Sequence, residues 1–189
     1  MRPRALALVT ELDRAHVKRR GRSAAGPPQG PAGRPPPFAA ALEDVRSLWN
    51  VGSMFRTADG AGFAELYLCG ITGCPPDAAL AKVSLGAEES VRWEHYRGVL
   101  EVLPALAHAG VTIVALEHDE ASEPLAASLA RGALAPPLCL VVGNEVEGLS
   151  PEARRAAGLT CHLPMRGAKT SLNAAVAFGV AAYAIRERI

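Results

Sequence analysis

Three separate stretches of the sequence carry side chains whose types and spacing could act on a phosphorylated ligand. In the first stretch, Asn50 and Gly52 fit a tight turn into a helix, and Arg56 follows about one turn into that helix. An arginine at the carboxyl end of a strand is suited to a phosphate, because its planar guanidinium can hold two oxygens. Taken singly, Asn50 also fits a helix cap and Arg56 a solvated surface side chain.

The second stretch places an acidic side chain between two glycines. It reads GNEVEGLSP from Gly143 to Pro151, with Glu145 as its third residue. Glycine lets a backbone approach a ligand closely, and Ser150 followed by Pro151 is typical of a helix start. The stretch has neither the GK[ST] of a P-loop nor the GxGxxG of a dinucleotide site, which disfavours a generic nucleotide-binding protein.

The third stretch, residues 163–185, reads LPMRGAKTSLNAAVAFGVAAYAI and passes from a turn through a polar step into an apolar helix. Ser171 and Asn173 stand where side chains cap the first N–H groups of a helix. The helix itself is rich in alanine and glycine, so another backbone could pack very close to it. Such a surface suits either the core of the protein or a close contact with a second subunit.

Alternating strand-like and helix-like patterns must position these stretches. Short apolar runs predict strands at residues 38–42, 65–69, 111–116, 138–142 and 159–163. Helical patterns lie near residues 51–61, 99–109 and 151–157, and at the carboxyl terminus. This alternation predicts an α/β fold with a parallel sheet and helices on both faces. Ligands in such folds lie beyond the carboxyl ends of the strands.

Composition restricts the class of protein. The 189 residues suit one domain, and 49% are hydrophobic but only 5% aromatic, so we expect a core of alanine, valine and leucine. No apolar run approaches the roughly 20 residues that cross a bilayer, and the amino terminus lacks a signal-peptide pattern. Cys69, Cys74, Cys139 and Cys161 show no CxxC pairing. We therefore expect no metal site, no membrane partner and a cytoplasmic location.

The net charge of +1 divides unevenly along the chain. Residues 1–37 carry eight basic and two acidic side chains, a balance of +6, whereas residues 38–189 carry twelve basic and seventeen acidic ones, a balance of −5. This division predicts a basic arm with a short helix over residues 5–20 and a Pro/Gly-rich linker over residues 21–37, followed by one domain over residues 38–189. The arm fits a solvated tail and a nucleic-acid-binding segment equally well.

Taken together and in this order, the three stretches resemble the motifs of a known family. NVGSMFRTAD, VVGNEVEGLSPE and LPMRGAKTSLNAAVAFGVAAY are similar to the motifs of the SpoU/TrmH family of RNA ribose 2′-O-methyltransferases, in the SPOUT superfamily. The resemblance covers about residues 38–189. It implies a carboxyl-terminal trefoil knot, S-adenosyl-L-methionine as the cofactor and transfer or ribosomal RNA as the substrate. It also implies a homodimer in which each active site is completed by the partner.

The resemblance also implies roles for individual residues. It places Arg56 beside the target phosphate and hydroxyl, and makes Asn50, Glu145, Ser171 and Asn173 the residues that orient Arg56, the cofactor and the ribose. The residues expected to hold the cofactor are Leu116, Glu117, Val142, Gly143, Asn144, Leu163, Pro164, Met165, Ser171, Leu172 and Asn173. The residues expected to bind RNA are Arg56, which the resemblance places at the phosphate, and Lys169, Arg19, Arg20 and Arg22, which are expected from their charge rather than from the resemblance.

The implied reaction is an in-line methyl transfer from a sulfonium to a ribose 2′-oxygen. Positioning the two reactants can contribute roughly 7–11 kcal/mol to such a step. Arg56 could act as a general base or as an electrostatic stabiliser, and the second role is favoured because a guanidinium keeps its proton in proteins. The alternative function is RNA binding by a SPOUT-like protein without methyl transfer. The complete set of expected site residues argues against that alternative.

Overall fold

The computed structural model describes residues 34–188, in which strands and helices alternate. The strands are β1 (Phe38–Glu43), β2 (Glu65–Cys69), β3 (Arg92–Tyr96), β4 (Thr112–Leu116), β5 (Glu123–Pro124), β6 (Leu138–Val142) and β7 (Leu159–His162). The helices are α1 (Leu48–Ala61), α2 (Ala78–Ser84), α3 (Ala87–Ser90), α4 (Leu103–His108), α5 (Leu125–Ala130), α6 (Pro151–Ala156) and α7 (Ala174–Arg188), with a short 3₁₀ turn at Val99–Glu101.

The strands of the described chain form one parallel sheet in the order β3-β2-β1-β6-β4-β7-β5. The last residues of the central strands stand at one level, since Val142 pairs with both Leu42 and Leu116, and Leu116 also pairs with Cys161. The segments that follow β1, β4, β6 and β7 therefore meet at the same edge. The predicted parallel α/β sheet is confirmed.

Both faces of the sheet are covered by helices. On one face, Leu42 belongs to a core that includes Phe55 of α1 and Phe178 of α7. On the other face, Ala41 packs in a second core with Leu106 of α4. Since alternate residues of a strand point to opposite faces, one apolar strand supplies both cores. Helices on both faces are thus confirmed, while the trefoil knot stays a prediction.

Several elements were not expected from the sequence, namely β3, β5, α2, α3 and α5. β3 reads RWEHY, and its charged residues do not form the apolar run that predicts a strand. It lies at the sheet edge, where it pairs with β2. Arg92 forms a 2.9 Å ion pair with Glu65 of β2, and the Tyr96 ring packs 6.2 Å from that of Tyr67. The predicted strand ends at positions 42, 111 and 163 each differ from the observed ends by one residue.

The small residues of α7 pack mainly within this chain. Ala174, Ala181 and Ala182 are buried, and a side chain added at Gly179 would lie 3.7 Å from Thr57 of α1. Of the two explanations left open by the sequence, core packing therefore accounts for these residues. The exposed side of α7 instead carries larger side chains, Val176, Val180 and Tyr183.

The expected arm lies almost entirely outside the described residues, and so do Arg19, Arg20 and Arg22. The described chain already joins the sheet just before β1, because the N–H of Leu138 donates to the carbonyl of Pro37 at 2.9 Å. Across residues 34–188, no helix combines the length and apolar character needed to cross a membrane.

Candidate active site

The first of the three stretches forms the turn from β1 into α1. Ser47 is the N-cap of α1, and its hydroxyl accepts a hydrogen bond from the N–H of Asn50 at 3.3 Å. Gly52 is required by the packing, because a Cβ there would lie 2.6 Å from the carbonyl oxygen of Leu80 in α2. The cap and this close contact set the position of Asn50 at the carboxyl edge of the sheet.

Glu145 holds the second stretch against the first. Its carboxylate accepts hydrogen bonds from the N–H of Arg46 at 3.1 Å, the N–H of Ser47 at 3.2 Å and Nδ2 of Asn50 at 2.8 Å. Burial opposes ionisation of this carboxyl, but the hydrogen bonds from Asn50 and the two backbone groups outweigh it and lower its pKa. A carboxylate at the start of α1 also complements the helix dipole.

The hydrogen bonds that Glu145 accepts from the first stretch form a clamp, and Asn50 connects this clamp to the third stretch. Asn173 caps α7, since its Oδ1 accepts from the N–H groups of Ala175 at 2.9 Å and Val176 at 3.3 Å. Its Nδ2 donates to Oδ1 of Asn50 at 3.2 Å. The Asn50 amide therefore bonds Glu145 on one side and Asn173 on the other, and one side chain joins all three stretches.

Asn144 shapes the loop between β6 and α6 from within. Its backbone exchanges two hydrogen bonds with Gly148, at 3.1 and 3.0 Å. Its Oδ1 accepts from the N–H groups of Val146 at 2.8 Å and Glu147 at 3.1 Å, and its Nδ2 donates to the carbonyl of Asp44 at 2.9 Å. The Asn144 residue is buried and bonds the loop through both side-chain atoms, so its side chain orders the loop.

Two further carboxylates hold the end of the same loop. Glu117 accepts a hydrogen bond from the N–H of Leu149 at 2.8 Å, and Glu43 accepts from the N–H and the hydroxyl of Ser150 at 2.9 and 2.7 Å. Gly148 has a φ of +71°, and a side chain there would overlap the Glu117 carboxylate. Glu117, expected to contact the cofactor, thus uses its carboxylate to position the loop.

A cavity of about 230 Å³ opens between the ends of β4, β6 and β7. Most of the residues expected to hold a cofactor line it: Leu116, Glu117, Val142, Gly143, Asn144, Leu163, Met165, Ser171 and Leu172, together with Glu145. Pro164 and Asn173 are absent from this lining, although Asn173 caps the helix beside it. Gly148, the second of the two glycines noted in the sequence, also lies in the lining. The lining further contains residues that the sequence did not indicate: His118, Val146, Glu147, His162, Thr170, Ala174 and Ala177.

His118 and His162 stand together in this lining, with ring centroids 4.7 Å apart. The Ser122 hydroxyl donates to the carbonyl of Asp119 at 2.7 Å and lies 2.9 Å from Nδ1 of His162. The Ser122 hydroxyl therefore connects His162 to the loop that follows β4. Their positions in the sequence could have indicated both histidines, since His118 follows β4 closely and His162 ends β7.

The wall formed by residues 163–172 is irregular backbone. Within residues 34–188, this segment makes no hydrogen bond to another backbone group. Polar backbone groups normally have partners, so these N–H and carbonyl groups are available to a ligand in the adjoining cavity. Lys169 lies in the same segment and is exposed. Among the described residues, no cluster of three or more His, Cys, Asp or Glu side chains could hold a metal ion.

Arg56 lies in the third turn of α1 and is exposed. It contributes nothing to the cavity lining and forms no ion pair in the described part of the chain. Gly60 follows it by one helical turn, and a Cβ at Gly60 would lie 2.8 Å from the hydroxyl of Tyr183 in α7. Arg56 therefore lies on the exposed surface of α1, one turn before the contact of this helix with Tyr183 of α7.

Comparison with known proteins decides the family. A model of the SpoU rRNA methylase family matches residues 37–183. The chain belongs to this family. The resemblance that the three motifs carried in the sequence is confirmed.

Curated relatives and solved structures agree with this assignment. The chain is 31% identical over 154 residues to the 23S rRNA (guanosine-2′-O-)-methyltransferase RlmB of Vibrio cholerae, covering 81% of this chain and 60% of the relative. An AdoMet-bound rRNA methyltransferase from Sinorhizobium meliloti shares 28% identity and a TM-score of 0.74, over 87% of this chain and 59% of that one. The TrmH/SpoU tRNA modifying enzyme of A. aeolicus shares 27% identity and a TM-score of 0.69, over 80% and 74% of the two chains. The chain thus spans about three fifths of the length of such curated relatives.

Proposed function

We propose that this member of the SpoU family transfers a methyl group from S-adenosylmethionine to a ribose 2′-hydroxyl of ribosomal or transfer RNA. The observation that carries the proposal is the hydrogen-bonded series Glu145–Asn50–Asn173, which joins the three motifs beside the cavity. Relatives named as a 23S rRNA 2′-O-methyltransferase and a tRNA modifying enzyme support it. The alternative of RNA binding without methyl transfer leaves this connected set of polar residues unexplained.

The cavity fits S-adenosylmethionine by its lining. Leu116, Val142 and Leu163 offer apolar surface, while the segment 163–172 offers N–H and carbonyl groups suited to the edge of an adenine. A Cβ at Gly143 would overlap the backbone of Gly148, so the loop packs directly on the floor of the site. The cofactor would supply an electrophilic methyl group carried on a sulfonium.

The residues of the chain then have to position the ribose and favour loss of its hydroxyl proton. Asn50 and Asn173 hold the starts of α1 and α7 in one arrangement, and Glu145 fixes the cavity loop to them. We assign Arg56 to the phosphate next to the target ribose and to the negative charge that develops on the 2′-oxygen. Its guanidinium keeps its proton throughout, so the proton leaves to another acceptor. Ser171 lies in the cavity lining, and we assign to it the orientation of the ribose.

We further propose that the protein acts as a homodimer. The exposed side of α7 carries Val176, Val180 and Tyr183, which are 51%, 48% and 49% exposed and recur at helical spacing. Arg56 lies outside the cavity of its own chain, on the helix α1 that packs against α7 at Gly60 and Tyr183. A second copy placed on this exposed side of α7 would bury it and bring Arg56 near the cavity of the partner subunit. This arrangement explains why Arg56 stands away from the cavity.

The proposed substrate also supports a cytoplasmic location, where ribosomal and transfer RNA are modified and used. Cys69, Cys139 and Cys161 are buried thiols rather than disulfides, as expected for a protein of a reducing compartment.

The proposal is tested by incubating the purified full chain with isotope-labelled S-adenosylmethionine and total RNA from cells that lack the protein. The expected result is label in 2′-O-methylated nucleosides after complete digestion, at one or a few positions. Calorimetry on the same preparation checks cofactor binding. A folded protein that binds neither S-adenosylmethionine nor its demethylated product contradicts the proposal.

Replacing Arg56 separates binding from chemistry. Arg56→Ala should abolish methyl transfer and leave cofactor affinity unchanged, because Arg56 does not line the cavity. Arg56→Lys should recover little activity, since a point charge replaces a two-pronged grip. Substantial transfer by Arg56→Ala would show that another group stabilises the reacting oxygen.

A further inference from the structure

The basic side chains of residues 34–188 divide into two groups by their partners. One group is engaged within the chain: Arg92 pairs with Glu65, Arg131 with Glu123, Arg154 with Asp119 and Arg155 with Glu152, while Arg186 donates to the carbonyl of Ala61. The other group has no ion pair among the described residues and comprises Arg34, Arg46, Arg56, Lys82, Arg97, Arg166, Lys169 and Arg188. Only the second group can neutralise charge on a ligand without first losing a partner.

Four members of the second group follow the carboxyl ends of strands. Arg46 lies three residues after β1, Arg97 directly after β3, and Arg166 and Lys169 in the segment after β7. The sheet order places β3 and β1 two strand spacings apart, which is about 10 Å. Arg188, in contrast, ends α7 near the opposite edge. Unpaired positive charge therefore gathers at the edge that contains the cavity.

Two large apolar side chains are exposed in the segments that follow β1 and β2. Trp49, in the first turn of α1, is 67% exposed, and Ile71, in the loop after β2, is 64% exposed. The backbone around them is firmly held, because the N–H of Arg46 donates to Glu145 and the N–H of Ile71 donates to the Asp44 carboxylate at 2.9 Å. An exposed indole at the same sheet edge as unpaired arginines is a combination that binds bases by stacking and phosphates by charge.

Two acidic side chains on this side of the edge accept hydrogen bonds from backbone N–H groups. Asp44 accepts from the N–H of Ile71, and Glu101 accepts from the N–H of Arg97 at 3.2 Å. The exposed carboxylates of Glu120 and Glu147 lie across the cavity, in the loops after β4 and β6. These hydrogen bonds fix the Asp44 and Glu101 carboxylates in place but leave their negative charge, so Arg46 and Arg97 would act on a phosphate through direct contact.

We propose that Arg46, Trp49 and Arg97 bind the single-stranded RNA that flanks the methylated nucleotide, an inference that rests on the proposed function. Arg46 and Arg97 contact phosphates, and Trp49 stacks on an unpaired base. Single-stranded RNA is favoured over duplex because bases paired inside a helix do not expose their faces to an indole. The surface leads from the edge strand β3 toward Asn50, whose amide stands beside the cavity.

The test is the affinity of the full chain for a fluorescein-labelled 20-nucleotide single-stranded RNA of mixed sequence, measured by anisotropy over a series of salt concentrations. Each phosphate contact contributes about 0.7 to the slope of log affinity against log salt, so the double variant Arg46→Ala, Arg97→Ala should lower the slope by about 1.4. Arg188→Ala is the matched control, an unpaired arginine near the opposite edge, and should leave the slope unchanged.

Trp49 should show the complementary behaviour. Trp49→Ala should weaken binding roughly 5- to 150-fold, the equivalent of losing one stacked base, without changing the salt slope. Trp49→Phe should retain most of the affinity, because a phenyl ring still stacks. Circular dichroism melts confirm that each variant is folded.

Distinct outcomes overturn this inference and the proposed function. An unchanged salt slope in the double arginine variant, with a wild-type protein that methylates RNA, refutes the surface and leaves the function in place. Sedimentation of Trp49→Ala as a monomer, where the wild type is a dimer, assigns Trp49 to the subunit contact and refutes its stacking role. A wild-type protein that neither binds nor methylates RNA refutes both.

Discussion

Replacing Gly148 with alanine should disturb the cavity loop through one identifiable contact. Gly148 adopts a φ of +71°, and its missing side chain leaves room for the Glu117 carboxylate. That carboxylate accepts the N–H of Leu149, a residue that is 3% exposed. Gly148→Ala therefore imposes a left-handed conformation on alanine and also displaces the acceptor of a buried N–H group.

The two costs can be sized separately. An alanine in the left-handed region costs roughly 1–2 kcal/mol, and a buried donor left without its acceptor costs roughly 1–3 kcal/mol. The free energy of unfolding of Gly148→Ala should thus fall by about 2–5 kcal/mol in total. Gly132 is a matched control, because its φ is +72° and a Cβ there meets nothing within 4 Å. Gly132→Ala should cost only the backbone share, roughly 1–2 kcal/mol.

Urea unfolding of the two variants and the wild type measures these differences, and calorimetry measures affinity for S-adenosylmethionine. Gly148 lines the cavity, so Gly148→Ala should also weaken cofactor binding, whereas Gly132→Ala should not. Equal losses of stability in the two variants, with equal cofactor affinity, would show that the contact between Gly148 and Glu117 does not order the loop.

Three further predictions concern the clamp, the dimer and the arm. The folded-state pKa of Glu145 is lowered, so its stabilising contribution is complete above the unfolded-state pKa and is lost as the pH falls through the folded-state value. Glu145→Gln should therefore flatten the acid side of the stability–pH curve measured by urea unfolding. An unaltered curve would show that the hydrogen bonds to Glu145 do not cause the loss of stability in acid. Val180→Lys should weaken dimerisation in sedimentation experiments. The control Leu100→Lys, at a similarly exposed site away from α7, should not weaken it. A wild-type protein that sediments as a monomer at micromolar concentration would contradict the proposed dimer. Deleting residues 1–33 spares the contact of Pro37 with β6. The deletion should lower the slope of log RNA affinity against log salt by several units and leave cofactor affinity intact. An unchanged slope with normal thermal stability would mean that the arm does not bind RNA.

Local sequence chemistry was sufficient to predict the central part of the sheet and the helices that begin at its carboxyl edge. Apolar runs identified β1, β2, β4, β6 and β7, because strands in the interior of a sheet covered on both faces are mostly apolar. β3 was missed because an edge strand can keep charged residues, and Arg92 is satisfied only by Glu65 on the neighbouring strand. The role of Asn173 as the cap of α7 was also predictable, because a cap depends on the residues that follow it.

The sequence by itself also determined the family, since the order and content of three motifs are properties of the chain. Only the tertiary structure decided how those motifs work together. Asn50 bonds Glu145 across 95 positions and Asn173 across 123, and no local pattern indicates such partners. The structure likewise showed that Asn144 and Glu117 order the loop, and that Arg56 lies outside the cavity of its own chain. The physical reason is that a side chain's function depends on which distant backbone and polar groups the fold brings within hydrogen-bond reach.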